Sequence, residues 1–260
     1  MADRITRENL DDIIKINKEI DDEISGCIKR VHNIYNKANI SSPEKLALNI
    51  LQSYNLIQIP IDDEYLGGKV EIRNNKKIPI INTSQPRVYQ YFVACHEVYH
   101  ILFDERLNSE NIYAEMNVVN VPLIERKADY FAACMLLGNV FEYYLELEGS
   151  FIEKIMKCID MYKAPYKAIL VKLYECADRY KNEELKILCL EHIENKPSNF
   201  VELFEELGLD SELVRPSNIV RLGNLDSLIK KEMESNPQAT YHEENKRYLE
   251  ELKSKISKDL

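Results

Sequence analysis

His96-Glu97-Val98-Tyr99-His100 sets two imidazoles four residues apart, with a carboxylate directly after the first. On a helix this spacing puts both rings on one face, one turn apart, so both can reach a single ion. Imidazole nitrogen suits zinc. Glu97 follows the first histidine and can approach a water on the same ion without ligating it. The spacing therefore predicts His96 and His100 as metal ligands and Glu97 as the acid–base group. A purely structural zinc site has no use for such a carboxylate and usually closes its fourth position.

Two histidines leave a catalytic zinc short of its usual third protein ligand. The segment Ile124-Glu125-Arg126-Lys127-Ala128-Asp129 offers Glu125 and Asp129, four apart and so on one helical face. Glu125 could ligate, and Asp129 could accept a hydrogen bond from the far nitrogen of a ligand histidine. Ala128, Ala132 and Ala133 are small enough to let this helix come close to the first. By spacing alone, Glu115 and Asp104 compete with Glu125 for the third position.

The surrounding pattern shows what must hold these side chains. Leu10, Ile13, Ile20, Ile24, Ile28, Val31 and Ile34 recur at helical spacing between about Glu8 and Asn39. A second helix is expected from Pro43 to about Tyr54, with Ser42 as N-cap. Period-two patterning follows. It predicts a strand at Leu56–Ile61 and a hairpin of Lys69–Arg73 with Lys77–Ile81 across Asn74-Asn75-Lys76. Pro79 suggests that the last of these is an edge. That makes Lys77–Asn82 the expected place for an extended substrate to pair. Helical pattern resumes from Pro86 to about Asp104, and again after Pro122 through Leu137. It continues, punctuated by Gly and Pro, to a charged last segment with a stripe of Tyr241, Tyr248, Leu249, Leu252 and Ile256. The fold class predicted is α+β and mostly helical, a small antiparallel sheet packed on the helix of His96, followed by a helical C-terminal region.

With 260 residues, 45% of them hydrophobic, the chain can bury a sizeable core. A net charge of −10 argues against nucleic acid and against an anionic membrane surface, because both need a basic face. The opening residues Met1 to Asp12 contain no apolar run, and no stretch approaches a membrane span, so the expected compartment is the cytoplasm. The 6 cysteines form no CxxC pair and read as reduced, mostly buried thiols, Cys95 among them. Tyr99 is expected to pack, and His32, His192 and His242 have no partner spacing.

Phe92-Val93-Ala94-Cys95-His96-Glu97-Val98-Tyr99-His100, followed by Glu125-Arg126-Lys127-Ala128-Asp129-Tyr130-Phe131-Ala132-Ala133-Cys134-Met135-Leu136-Leu137, resembles the ImmA/IrrE family of zinc metallopeptidases. The likeness covers roughly residues 43–180. It implies His96, His100 and Glu125 as zinc ligands, Glu97 as general base and Asp129 as the group that orients a ligand. Val93, Cys95 and Gly138-Asn139 depart from the family pattern, and none of them is a ligand position. The resemblance further implies a cytoplasmic, site-specific endopeptidase of bacteria or their mobile elements, acting on a repressor-type regulatory protein of helix-turn-helix class. Ala164-Pro165-Tyr166-Lys167-Ala168 sits where the family has a helix-turn-helix-like element, and the acidic balance argues against DNA binding there. Three segments are expected: 1–40, a peptidase domain at 41–180, and a helical extension at 181–260 that either recognises the partner or serves as scaffold. Two other readings stay open. One is a non-catalytic zinc-stabilised module that binds a regulator. The other is a phage or toxin–antitoxin component on the same fold. Manganese or iron would also fit the same ligands.

Overall fold

The computed structural model describes residues 5–35, 42–108 and 121–258. The elements run α1 (Leu10–Tyr35), α2 (Pro43–Ser53), β1 (Ile57–Ile59), β2 (Gly68–Arg73), β3 (Lys76–Asn82), α3 (Arg87–Phe103), α4 (Val121–Leu137), α5 (Val140–Glu146), α6 (Phe151–Tyr162), α7 (Tyr166–Tyr180), α8 (Glu183–His192), α9 (Phe200–Glu206), β4 (Arg221–Leu222), α10 (Leu225–Ser235) and α11 (His242–Lys258). The fold is α+β and mostly helical, with a four-stranded sheet in the order β2-β3-β1-β4.

The hairpin forms where the sequence placed it, closed by Asn74 and Asn75 at φ 50° and 57°. Two consecutive positive φ values define a type I′ turn, and asparagine tolerates that region better than other residues with a β-carbon. The sheet differs from expectation in being mixed. The hairpin folds back so that β3 lies between β2 and β1, and β1 therefore runs parallel to β3. As a result β3 is not an edge. Its second half, Ile80–Asn82, pairs with both neighbours, and only Lys76–Pro79 has β2 alone for a partner. Pro79 thus sits on the open half of an interior strand, where its missing N–H leaves no β1 bond unmade. The exposed edge next to the α3 helix is β2.

Asn82 locks this arrangement. It is fully buried, and its amide donates to the carbonyls of Ile61, Asp63 and Leu66 at 3.1, 3.1 and 2.8 Å. Its carbonyl oxygen accepts from the backbone N–H of Ile61 and Ser84 and from the Ser84 hydroxyl. One side chain thereby fixes the loop that leads into β2.

The apolar stripe of α1 packs on α4 and α7, with Leu10, Ile13, Ile20, Ile24 and Val31 buried, whereas Ile34 ends up exposed. Tyr130 and Tyr174 donate hydroxyl hydrogen bonds to Asp21 and Asp11 of α1, each at 2.7 Å. Helix α7, which follows the Ala164-Pro165 turn, buries side chains all along its length from Tyr166 to Ala177 and is a core helix. The segment after α9 returns to the start of α3. Arg87 N–H donates to the Arg215 carbonyl, the Ser217 hydroxyl donates to Gln90, and Thr83 is bonded to both Asn218 and Ile219. From there β4 pairs with β1. In the last segment only Leu249 of the expected stripe is buried, and Tyr241 and Tyr248 are exposed. No helix among the described residues is long and apolar enough to cross a membrane.

Candidate metal centre

Helix α3 carries His96, Glu97 and His100, and α4 crosses it at close range. The crossing is possible because Ala128 and Ala132 are fully buried in the contact, as is Ala94 on the opposing helix. Tyr99 packs in the same seam against Phe103 and Phe131, with ring centroids 5.8 and 5.7 Å away. Buried Cys95 also faces the core.

Across this seam three of the five predicted site residues, His96, His100 and Glu125, converge on one point, with Glu97 beside them and Asp129 behind His96. His96 Nε2 lies 3.0 Å from His100 Nε2, and Glu125 reaches the two nitrogens at 3.3 and 3.6 Å with its two oxygens. One ligand atom from each of His96, His100 and Glu125 falls within a 4.8 Å cluster. Asp129 Oδ1 accepts from His96 Nδ1 at 2.9 Å. Asp104, a spacing rival for the third ligand, instead accepts from His100 Nδ1 at 3.0 Å. Glu115, the other rival, lies outside the described residues.

The hydrogen bonds fix the tautomers. A carboxylate only accepts, so each Nδ1 carries a hydrogen and each Nε2 is turned toward Glu125. Two Nε2 atoms 3.0 Å apart, with a carboxylate against both, need positive charge among them, either a proton or a metal ion. The donor set, two imidazole nitrogens and a carboxylate oxygen, fits a divalent metal ion.

The electrostatics agree. Burial alone would lower the pKa of His96, but the hydrogen bonds from Asp129 and Glu125 outweigh it and raise the ring to about 10. His100 moves the same way, with burial overcome by Asp104 and Glu125. Burial would raise Glu125, yet the two imidazoles hold it well below the usual carboxylate range. The site thus holds an excess of negative charge that retains positive charge, whether protons or a metal ion. Glu97 differs from its neighbours. It is buried, ligates nothing in the cluster, and is pushed above the usual carboxylate range by that burial despite the two histidines. A carboxyl of raised pKa beside an ion is poised to take and return a proton.

Three supporting residues, Asp104, Arg106 and Lys77, complete the surroundings of the site. Asp104 caps the end of α3 in an extended conformation, which turns its side chain back toward His100 one turn earlier. Arg106 grips it through Nε and a terminal nitrogen at 2.9 and 2.7 Å, and its own backbone N–H donates at 3.1 Å. Lys77 donates to the Ile101 carbonyl at 2.7 Å, placing a cation at the C-terminal end of the active helix. The i+4 offset from His100 was the one signal that could have marked Asp104 as an orienting group.

Edge strand β2 forms the facing wall, and Gly68, Lys69 and Val70 line a cavity of about 230 Å³ with the site residues. Its approach depends on two glycines. A β-carbon on Gly67 would lie 2.7 Å from Val93 Cγ2. One on Gly68 would lie 2.6 Å from Val93 Cγ1, 2.8 Å from the Ile80 carbonyl and 3.2 Å from Glu97 Oε1.

Residues 54–174 match the family model described as Peptidase_M78, IrrE N-terminal-like domain. Every residue of the centre falls within that span. No curated protein and no solved structure matches the chain.

Proposed function

From the premise that this chain belongs to the ImmA/IrrE family of metallopeptidases, we propose that it is a zinc-dependent endopeptidase that cleaves a repressor-type regulatory protein within the cytoplasm. The observation that carries the reading is the convergence of two Nε2 atoms, 3.0 Å apart, on the Glu125 carboxylate, with Glu97 buried beside them.

His96, His100 and Glu125 would hold the metal. Zinc supplies Lewis acidity toward a water and a scissile carbonyl. Glu97 takes the proton of the attacking water and returns it to the leaving amine. Asp129 and Asp104 keep both imidazoles in the Nδ1–H tautomer, and Arg106 keeps Asp104 in place. The free edge of β2 offers backbone groups to an extended substrate, taking the role the sequence pattern gave to β3.

Metal analysis of the purified protein beside His96→Ala, Glu125→Ala and Glu97→Gln tests this. About one zinc per chain is expected in the wild type and in Glu97→Gln, with loss in the other two. Glu97→Gln should lower cleavage of a co-expressed regulator by about 10²–10⁴-fold. Undiminished cleavage in Glu97→Gln would refute the mechanism, and undiminished metal in Glu125→Ala would refute the ligand set.

A further inference from the structure

A second cavity, of about 520 Å³, lies at the N-terminal end of α3, away from the turns that carry the histidines. That volume is in the range of small-molecule sites. Its apolar lining includes Val88 from α3, Ile159 from α6, and Phe200 and Val201 from α9.

Two of its polar groups, Lys196 and Tyr89, have no hydrogen-bond or ion-pair partner among the described residues. Lys196 Nζ sits 4.8 Å from the Phe200 ring centre and 5.6 Å from that of Tyr89. Lys172 and Lys186 are instead ion-paired, with Glu175 and Asp178. Lys196 has no ion pair among the described residues, and Glu202, which also lines the cavity, does not reach it. Desolvation pulls its pKa down with no opposing charge. The Tyr89 hydroxyl is likewise sheltered and has no hydrogen-bond partner among the described residues, and burial pushes its pKa up. Lys196 remains exposed overall, so a ligand can reach it from solvent.

An aromatic-walled cavity with one uncompensated ammonium and one unpaired phenol is complementary to an anion with an apolar body. A cation would be repelled, and a neutral apolar molecule would leave the ammonium unpaired. We propose that this cavity binds a small carboxylate carrying an aromatic or branched apolar body, with the carboxylate on Lys196 and Tyr89 and the body against Val88, Phe200 and Val201. The site is separate from the metal centre, so its test does not depend on peptidase activity.

Ligand-observed NMR titration of the full chain decides it, with 3-phenylpropionate and 4-methylpentanoate as probes. Saturable binding is expected at about millimolar dissociation constant or tighter for ligands of this size. The neutral match 3-phenylpropanamide and the bodiless anion acetate should each bind about tenfold more weakly. Lys196→Gln should lose about tenfold for the carboxylates, and Lys196→Arg should retain binding. Lys196 is exposed, so these variants should melt like the wild type, which a thermal scan verifies. Absence of saturable binding for both probes would overturn the proposal. So would equal affinity for acetate, or affinity unchanged in Lys196→Gln.

Discussion

Helix α3, which has no exposed residue, and the solvent-facing C-terminal pair α10–α11 use their polar residues in opposite ways. α3 buries Gln90, Glu97 and His100 among its apolar side chains, and the end of β3 and the helix's own C-cap add buried Asn82 and Asp104. Except for the reserved base Glu97, each of these is held by two or more named partners. α10 buries nothing, and α11 buries only His242 and Leu249. Its ion pairs, such as Arg247 with Glu244 and Glu251, join side chains that are 59–75% exposed. Buried polar groups are costly when a partner is lost, and exposed pairs contribute little. Polar substitutions should therefore be severe around α3 and mild in the C-terminal pair.

Asn82→Ala should have the largest effect on stability. It strands the Ile61 and Ser84 N–H groups and three carbonyls at once, at a cost of about 3 kcal/mol. Urea denaturation measures this, and a loss of under about 0.5 kcal/mol would show that solvent replaces those bonds and that the α3 surroundings are no more demanding than the surface. Asp104→Ala should come next. It removes the acceptor on His100 Nδ1 and leaves Arg106 without its carboxylate, so zinc affinity should fall about 10–100-fold in chelator competition. Unchanged affinity would mean that the imidazole is oriented by packing alone.

Gly67→Ala is a smaller and sharper test, because its only close neighbour is a side chain. The added methyl meets Val93 Cγ2 at 2.7 Å, and overpacking of this kind costs about 1–3 kcal/mol. Val93→Ala in the same chain removes the clash and should restore most of that loss, so the two changes are non-additive. Additive losses would show that β2 is not seated on α3 through this contact.

The same contrast governs what could be read from the sequence. His96, His100, Glu125 and Asp129 carry chemistry at helical spacing, so periodicity alone put each pair on one face, and the structure brings all four together. The hairpin at Lys69–Ile81 was legible for the same reason, with period two in place of period four. Asn82, Gly67 and Gly68 carry no periodic signal. Their roles come from contacts at strand ends with segments that approach from elsewhere in the chain, and a single residue at a strand end gives no pattern to read. Strand order is also a long-range property. Nothing local distinguishes an interior β3 from an edge, and β4 is two residues arriving from position 221, too short for any alternation to mark it.

The mildest case closes the comparison from the other side. Leu228 and Tyr248 are 50% and 67% exposed, so replacing both with serine removes little buried surface. Burial contributes roughly 25 cal/mol per Å², and side chains already in water have little of it to lose. Stability should therefore change by no more than about 0.5 kcal/mol per site, and metal content should not change. A cooperative loss well above that, seen as a fall in urea midpoint, would mean that these two side chains are covered in solution. The C-terminal pair would then be a buried surface like α3, held by a contact that the isolated chain does not show.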